Sequence, residues 1–178
     1  MLETERDEII QYGIEREKII LVSIAIILGL GCVFDIFYLS IIFSLAFCAL
    51  RRYAGGYHAK TQKRCYVISL IILIMSFIIM KYISKLDHVE GLILLMAFCC
   101  GIIWHFAPIE NKNKSLDELE QKKFQYETRK ILVIESIISL IAYVFDSVMI
   151  FIAISIAIVV ACIVVVVGII QIRIQSNN

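Results

Sequence analysis

The sequence predicts an all-α, polytopic membrane protein of about six transmembrane helices, and three observations carry that prediction. Hydrophobic residues make up 61% of the 178-residue chain, whereas soluble domains average nearer half. Runs as pure as 68–80 and 148–170 recur, and Pro108 is the single proline. The charges gather in short blocks between apolar runs, as in loops around spanning helices. The length allows one domain, residues 1–178, and the apolar runs make the lipid bilayer its surroundings. A net charge of +1 argues against a nucleic-acid partner.

Residues 1–18 set Ile9, Ile10, Tyr12 and Ile14 among Glu, Arg and Lys. That spacing fits an amphipathic lead-in at the membrane surface, and equally a solvated helix. No small-residue cleavage site follows the next apolar run, so the first hydrophobic segment is expected to stay as an anchor. Ile19 to Leu50 is a 32-residue apolar stretch broken near Gly29, Gly31 and Asp35. One helix would be longer than a membrane needs, and two would be slightly short.

Charge decides between them. With a hairpin turning at Asp35 and later spans at 66–83, 89–107, 131–145 and 147–170, fifteen of the seventeen Lys and Arg residues fall on one side. Lys81 and Lys85 fall on the other. The positive-inside rule then puts both termini and the 51–65 stretch in the cytoplasm of a multi-pass cell-membrane protein. Asp35 and Asp146 read as turn residues. Pro108 ends the fourth span, and 108–130 is a basic cytoplasmic loop in which Ser115 and Glu118 form a capping box for a surface helix. The last span, rich in Val and Ile, reads as a lipid-facing helix.

The stretch Arg51–Cys65 gathers two glycines, a histidine, five cations and a cysteine into fifteen residues. Cys32, Cys48, Cys99, Cys100 and Cys162 lie in apolar runs, where cysteine acts as a small hydrophobe. Cys65 alone has a cationic setting, with Lys63 and Arg64 beside it. Those charges, and a helix start capped by Thr61, would favour the nucleophilic thiolate. His58 is the candidate base. In one straight helix, residues seven apart stand about 10.5 Å apart along the axis. The pair therefore needs a bend between Ala59 and Gln62, a bridging water, or a histidine serving a second copy in a homodimer; the cap at Thr61 favours the bend. Gly55 and Gly56 permit positive φ and bring N–H groups close to a substrate, as an oxyanion hole requires. Arg51 and Arg52 suit peptide carboxylates, or serve as topology signals. His105 and Cys48 are weaker substitutes for base and nucleophile. His88 and Glu90 match no metal spacing, and no metal or cofactor is expected.

This stretch resembles the accessory gene regulator B family of membrane endopeptidases, which process peptide pheromone precursors in Gram-positive bacteria. An arginine, a Gly-Gly pair, a histidine and a cysteine seven residues later fall here on Arg51, Gly55-Gly56, His58 and Cys65. The six apparent spans and the basic Pro-containing loop are similar too. The resemblance implies that Cys65 is the nucleophile and His58 its base, with Arg51 and Gly56 also needed. It implies a small amphipathic propeptide as substrate and a cyclic thiolactone as product. The competing expectation is a non-enzymatic transporter or sensor scaffold, which would carry polar groups midway through its spans. Few occur beyond Ser23, Ser44, Ser76 and Glu135, and Glu135 falls near one end of its expected span.

Overall fold

The computed structural model describes Val22 and residues 24–56, 62–86, 88–109 and 117–176. They form six helices and no strand: α1 Ile24–Val33, α2 Phe37–Ala54, α3 Gln62–Ile83, α4 Glu90–Phe106, α5 Glu118–Val144 and α6 Val148–Ser176. By length and composition, α2 and α6 can cross a membrane, and α1, α3 and α4 contain shorter apolar helices.

The long N-terminal apolar stretch is a hairpin that turns at Asp35. The Asp35 amide bonds the Cys32 carbonyl at 3.1 Å, and the Ile36 amide bonds Gly31 at 2.9 Å. Asp35 sits at φ 59°. This is the Schellman closure, which satisfies carbonyls at a helix end with one residue in the left-handed region. The α5–α6 hairpin repeats it at Asp146, φ 58°, with Asp146 to Tyr143 at 3.1 Å and Ser147 to Ala142 at 2.8 Å. A short polar side chain tolerates that conformation better than a branched apolar one.

The last helix departs from the expectation of a lipid-facing span. α6 is the centre of the bundle and packs against α2, α3, α4 and α5. Phe151, Ala153, Ala157, Ile158 and Val165 are all fully or almost fully buried. A helix apolar on every side suits a protein interior as well as lipid, so composition alone does not separate them. Ala153, Ala157 and Ala161 recur every fourth residue, and such small side chains let neighbouring helices approach closely.

The fifth segment also differs. The expected surface helix and fifth span are one continuous helix, α5, because no Gly or Pro interrupts 118–144. Asp117 precedes it without a side-chain cap bond. Ser115 lies outside the described residues. α2 likewise runs four residues beyond Leu50, and so carries Arg51 and Arg52 in its last turn.

Two apolar clusters stabilise the bundle. One joins Phe43, Phe77, Met80 and Phe151, with the Phe43 and Phe77 rings edge to face at 5.9 Å. The other joins Leu50, Ala54, Ile103, Leu132, Ile158 and Val165, and it underlies the end of α2 where the candidate site begins.

Candidate functional site

The site is organised by how α2 ends. Leu50 and Ala54 are buried on α6, α4 and α5, which fixes the last turn of the helix. The chain then leaves through Gly55 at φ 68°, ψ −143° and Gly56 at φ 115°. Few residues with a side chain adopt either conformation.

Space excludes a side chain as well. A Cβ on Gly55 would collide with the carbonyl oxygen of Ile109. A Cβ on Gly56 would stand 2.8 Å from the Val164 carbonyl oxygen and 2.8 Å from Nη1 of Arg51. Gly55 forms an isolated parallel bridge with Ile109, whose amide donates to the Ala54 carbonyl at 3.0 Å. The glycine pair is therefore clamped between the chain following α4 and the backbone of α6. Pro108, joined to Ala107 by a cis bond, stands at that junction.

Arg51 completes the turn. Its Nη1 donates to the Gly55 carbonyl four residues on. A guanidinium can satisfy a carbonyl at a helix end and still keep further N–H donors. Arg52 instead lies over the Tyr53 ring at 5.7 Å, and Tyr53 meets Phe124 of α5 edge to face at 5.8 Å. The two neighbouring arginines thus differ: Arg51 turns inward to the glycine turn, and Arg52 stacks on an aromatic ring.

Cys65 is the fourth residue of α3. His58 and Thr61, and with them the expected bend and helix cap, lie outside the described residues. The structure therefore brings Arg51, Gly55 and Gly56 together in one turn and sets Cys65 at the start of the following helix.

The alternative residues lie apart from this turn. His105 is exposed and meets the Phe106 ring edge to face at 4.9 Å. His88 pairs with Glu90 at 3.7 Å, both side chains exposed. Among the described residues no three His, Cys, Asp or Glu side chains gather as a metal site would require.

Several contributions were not evident in the sequence. Val164 and Ile109 are ordinary apolar residues whose backbones confine the glycines. A polar seam joins α4, α5 and α6, with Ser139 and Ser155 hydroxyls 3.0 Å apart and Ser155 bonded to Met96 Sδ at 3.4 Å. Cys100 Sγ and Ser136 Oγ stand 3.4 Å apart beside it. Glu135 lies within the continuous helix α5. It is only 7% exposed, and its Oε2 has no hydrogen-bond partner among the described residues.

The comparisons with known proteins place the chain in a family. The family model for accessory gene regulator B matches residues 1–171. A Clostridium perfringens protein described as AgrB-like protein 2 is 32% identical over 148 residues, 80% of this chain and 69% of its own length. The accessory gene regulator protein B of Staphylococcus aureus strain Newman is 30% identical over 96 residues, 53% of this chain and 49% of that protein. No solved structure matches. With nearly the whole chain matched, and its apolar helices consistent with membrane association, the protein belongs to the accessory gene regulator B family.

Proposed function

We propose that this protein is a multi-pass membrane cysteine endopeptidase that cleaves a small amphipathic propeptide and promotes its thiolactone cyclisation. One observation carries the reading: the Gly55–Gly56 turn, held by Arg51, leads into the helix that bears Cys65, in a chain of this family. The whole chain forms one membrane-embedded domain of six spans, with both termini and the site at the cytoplasmic face. The fifteen-to-two division of cations supports that topology.

The chemistry follows from the residue types. His58 takes the thiol proton, and the Cys65 thiolate attacks the scissile carbonyl carbon. The C–N bond breaks, the proton passes from His58 to the leaving amine, and the N-terminal part of the precursor remains as a thioester on Cys65. A thiol within the bound peptide then competes with water at a high effective concentration. Its attack forms a new thioester, closes the ring and returns the Cys65 thiolate. In this reading Gly55, half-buried, supplies an N–H to the developing oxyanion, and Gly56, buried, is the packing partner that fixes it.

The test uses the full-length protein in membrane vesicles with an amphipathic precursor peptide that carries an internal cysteine. Cys65→Ala abolishes cleavage with insertion and protein level intact, and His58→Ala does nearly the same. Removing the precursor's own cysteine traps a mass adduct on Cys65 that hydroxylamine reverses. Normal cleavage by Cys65→Ala together with loss in Cys48→Ala would overturn the assignment.

Glu135 favours a second reading, a non-enzymatic transporter or sensor scaffold, because a carboxyl group buried in a spanning helix commonly marks a transport or relay path. That reading gains if Glu135→Gln stops appearance of peptide outside the cell while Cys65→Ala does not.

A further inference from the structure

We propose that the cavity between α1, α2 and α3 is the specificity pocket for the residue on the acyl side of the scissile bond, and that it accepts one apolar side chain. This rests on the peptidase reading above and extends it to the substrate. The cavity is about 200 Å³, and its walls include Ile27, Ser44, Phe47, Cys48, Ser69 and Leu73.

Helix register ties the cavity to the reacting residues. Residues three and four apart share a helix face. On α3, Cys65, Ser69 and Leu73 are spaced by four, so Ser69 stands one turn, roughly 6 Å, further along the helix than Cys65. On α2, Ser44, Cys48 and Arg51 follow the same rule. Two walls of the cavity are therefore continuations of the rows that carry Cys65 and Arg51. By backbone register the cavity therefore begins about one helical turn from both motif positions.

Size and chemistry select the occupant. An apolar cavity of roughly 150 Å³ holds a benzene ring, so this one fits a Leu, Ile, Met or Phe side chain. A lipid acyl chain is far longer than such a space. Ser44 Oγ is buried without a hydrogen-bond partner among the described residues. An orphaned buried hydroxyl is costly, and a peptide N–H or carbonyl entering the cavity would satisfy it. Ligand pockets commonly combine apolar walls with a few such groups.

The acyl side follows from the reaction order. The acyl half of the precursor stays on Cys65 while the amine departs. A pocket that grips its side chain holds the thioester carbonyl in place until the internal thiol arrives.

The experiment compares synthetic precursor peptides with Gly, Ala, Leu or Phe on the acyl side of the bond, located from the product mass given by the unmodified protein. In proteoliposomes, the unmodified protein prefers Leu or Phe over Gly by about tenfold or more in kcat/KM, the scale set by one or two methylenes in a pocket. Ser44→Leu with Ser69→Leu fills the cavity, and the preference shifts to Gly and Ala. An unchanged preference in the filled variant overturns the proposal. A readout independent of that variant uses protein whose other cysteines, Cys65 included, are alanine. N-ethylmaleimide then alkylates Cys48 at least several-fold more slowly with the Leu or Phe peptide than with the Gly peptide. Equal rates overturn the pocket, as expected if lipid fills the space. If the unmodified protein cleaves no precursor and forms no adduct on Cys65, the peptidase reading fails first and the pocket with it.

Discussion

The turns at Asp35 and Asp146 and the turn at Gly55–Gly56 all carry backbone at positive φ, yet they are built in opposite ways. The aspartate turns close on themselves. Their carbonyls and amides pair within six consecutive residues, and both aspartates are exposed, Asp35 with Lys81 3.8 Å away. The glycine turn depends on distant segments: Ile109 on one side, Val164 on the other and the Arg51 guanidinium within. Locally closed turns tolerate substitution, whereas a turn wedged between other backbones does not. The difference separates a hinge that merely reverses the chain from one whose shape is set by distant parts of the fold.

Gly56→Ala is the strongest way to test this. The new methyl group meets a helix backbone that cannot yield as a side chain would, so the turn must move. A displacement of about 1 Å at a reacting centre costs about a hundredfold in rate. Precursor cleavage in vesicles should fall by that order while the protein still accumulates. Near-normal cleavage would mean the packing is not what the site requires.

Arg51→Lys comes next. It keeps the charge and loses the planar fork, so the Gly55 carbonyl keeps at best a single flexible donor. Loss of a charge-assisted hydrogen bond of about 1.5–3 kcal/mol predicts a drop of roughly tenfold or more. Arg52→Lys, which disturbs only the stacking on Tyr53, should fall by a few-fold at most. Equal losses at the two positions would contradict the inward role of Arg51.

Ser139→Ala probes the seam behind the site. The Ser139–Ser155 pair should contribute about 0.6 kcal/mol, the average for polar pairs between membrane helices. Thermal unfolding in detergent should show a small fall, and a double-mutant cycle with Ser155→Ala should recover that coupling. The smallest effect belongs to Asp35→Gly and Asp146→Gly. Glycine adopts the left-handed conformation at least as readily as aspartate, so stability shifts by about 1 kcal/mol or less and cleavage is unchanged. A strong activity loss at either aspartate would erase the contrast between the two kinds of turn.

What could be read in advance follows the same division. The hairpin at Asp35 was legible because a 32-residue apolar stretch and the cation distribution both depend on it. The stop before Pro108 and the positive φ at Gly55–Gly56 are likewise local properties, written in residue type. The central place of α6 was not legible, because Val and Ile look alike whether they face lipid or protein. Only the recurrence of Ala153, Ala157 and Ala161 hinted at close packing. The continuity of α5 was missed because its first half is polar and its second apolar, which resembles two segments when read by composition. Nor does any pattern along the chain announce that Val164 and Ile109 bound the site, since those contacts exist only after the bundle has formed.

The contact between Gly56 and the Val164 backbone has a consequence in time. Chains are synthesised and threaded into membranes from the N-terminus, so the motif residues emerge before the segment that confines them. A partly made chain would hold the thiol and the glycines without the wall that shapes their turn. The glycine turn would thus take its described shape only after α6 is seated. Ribosome-bound forms, or forms truncated before α6, would then lack one of the two backbones that confine the glycine pair.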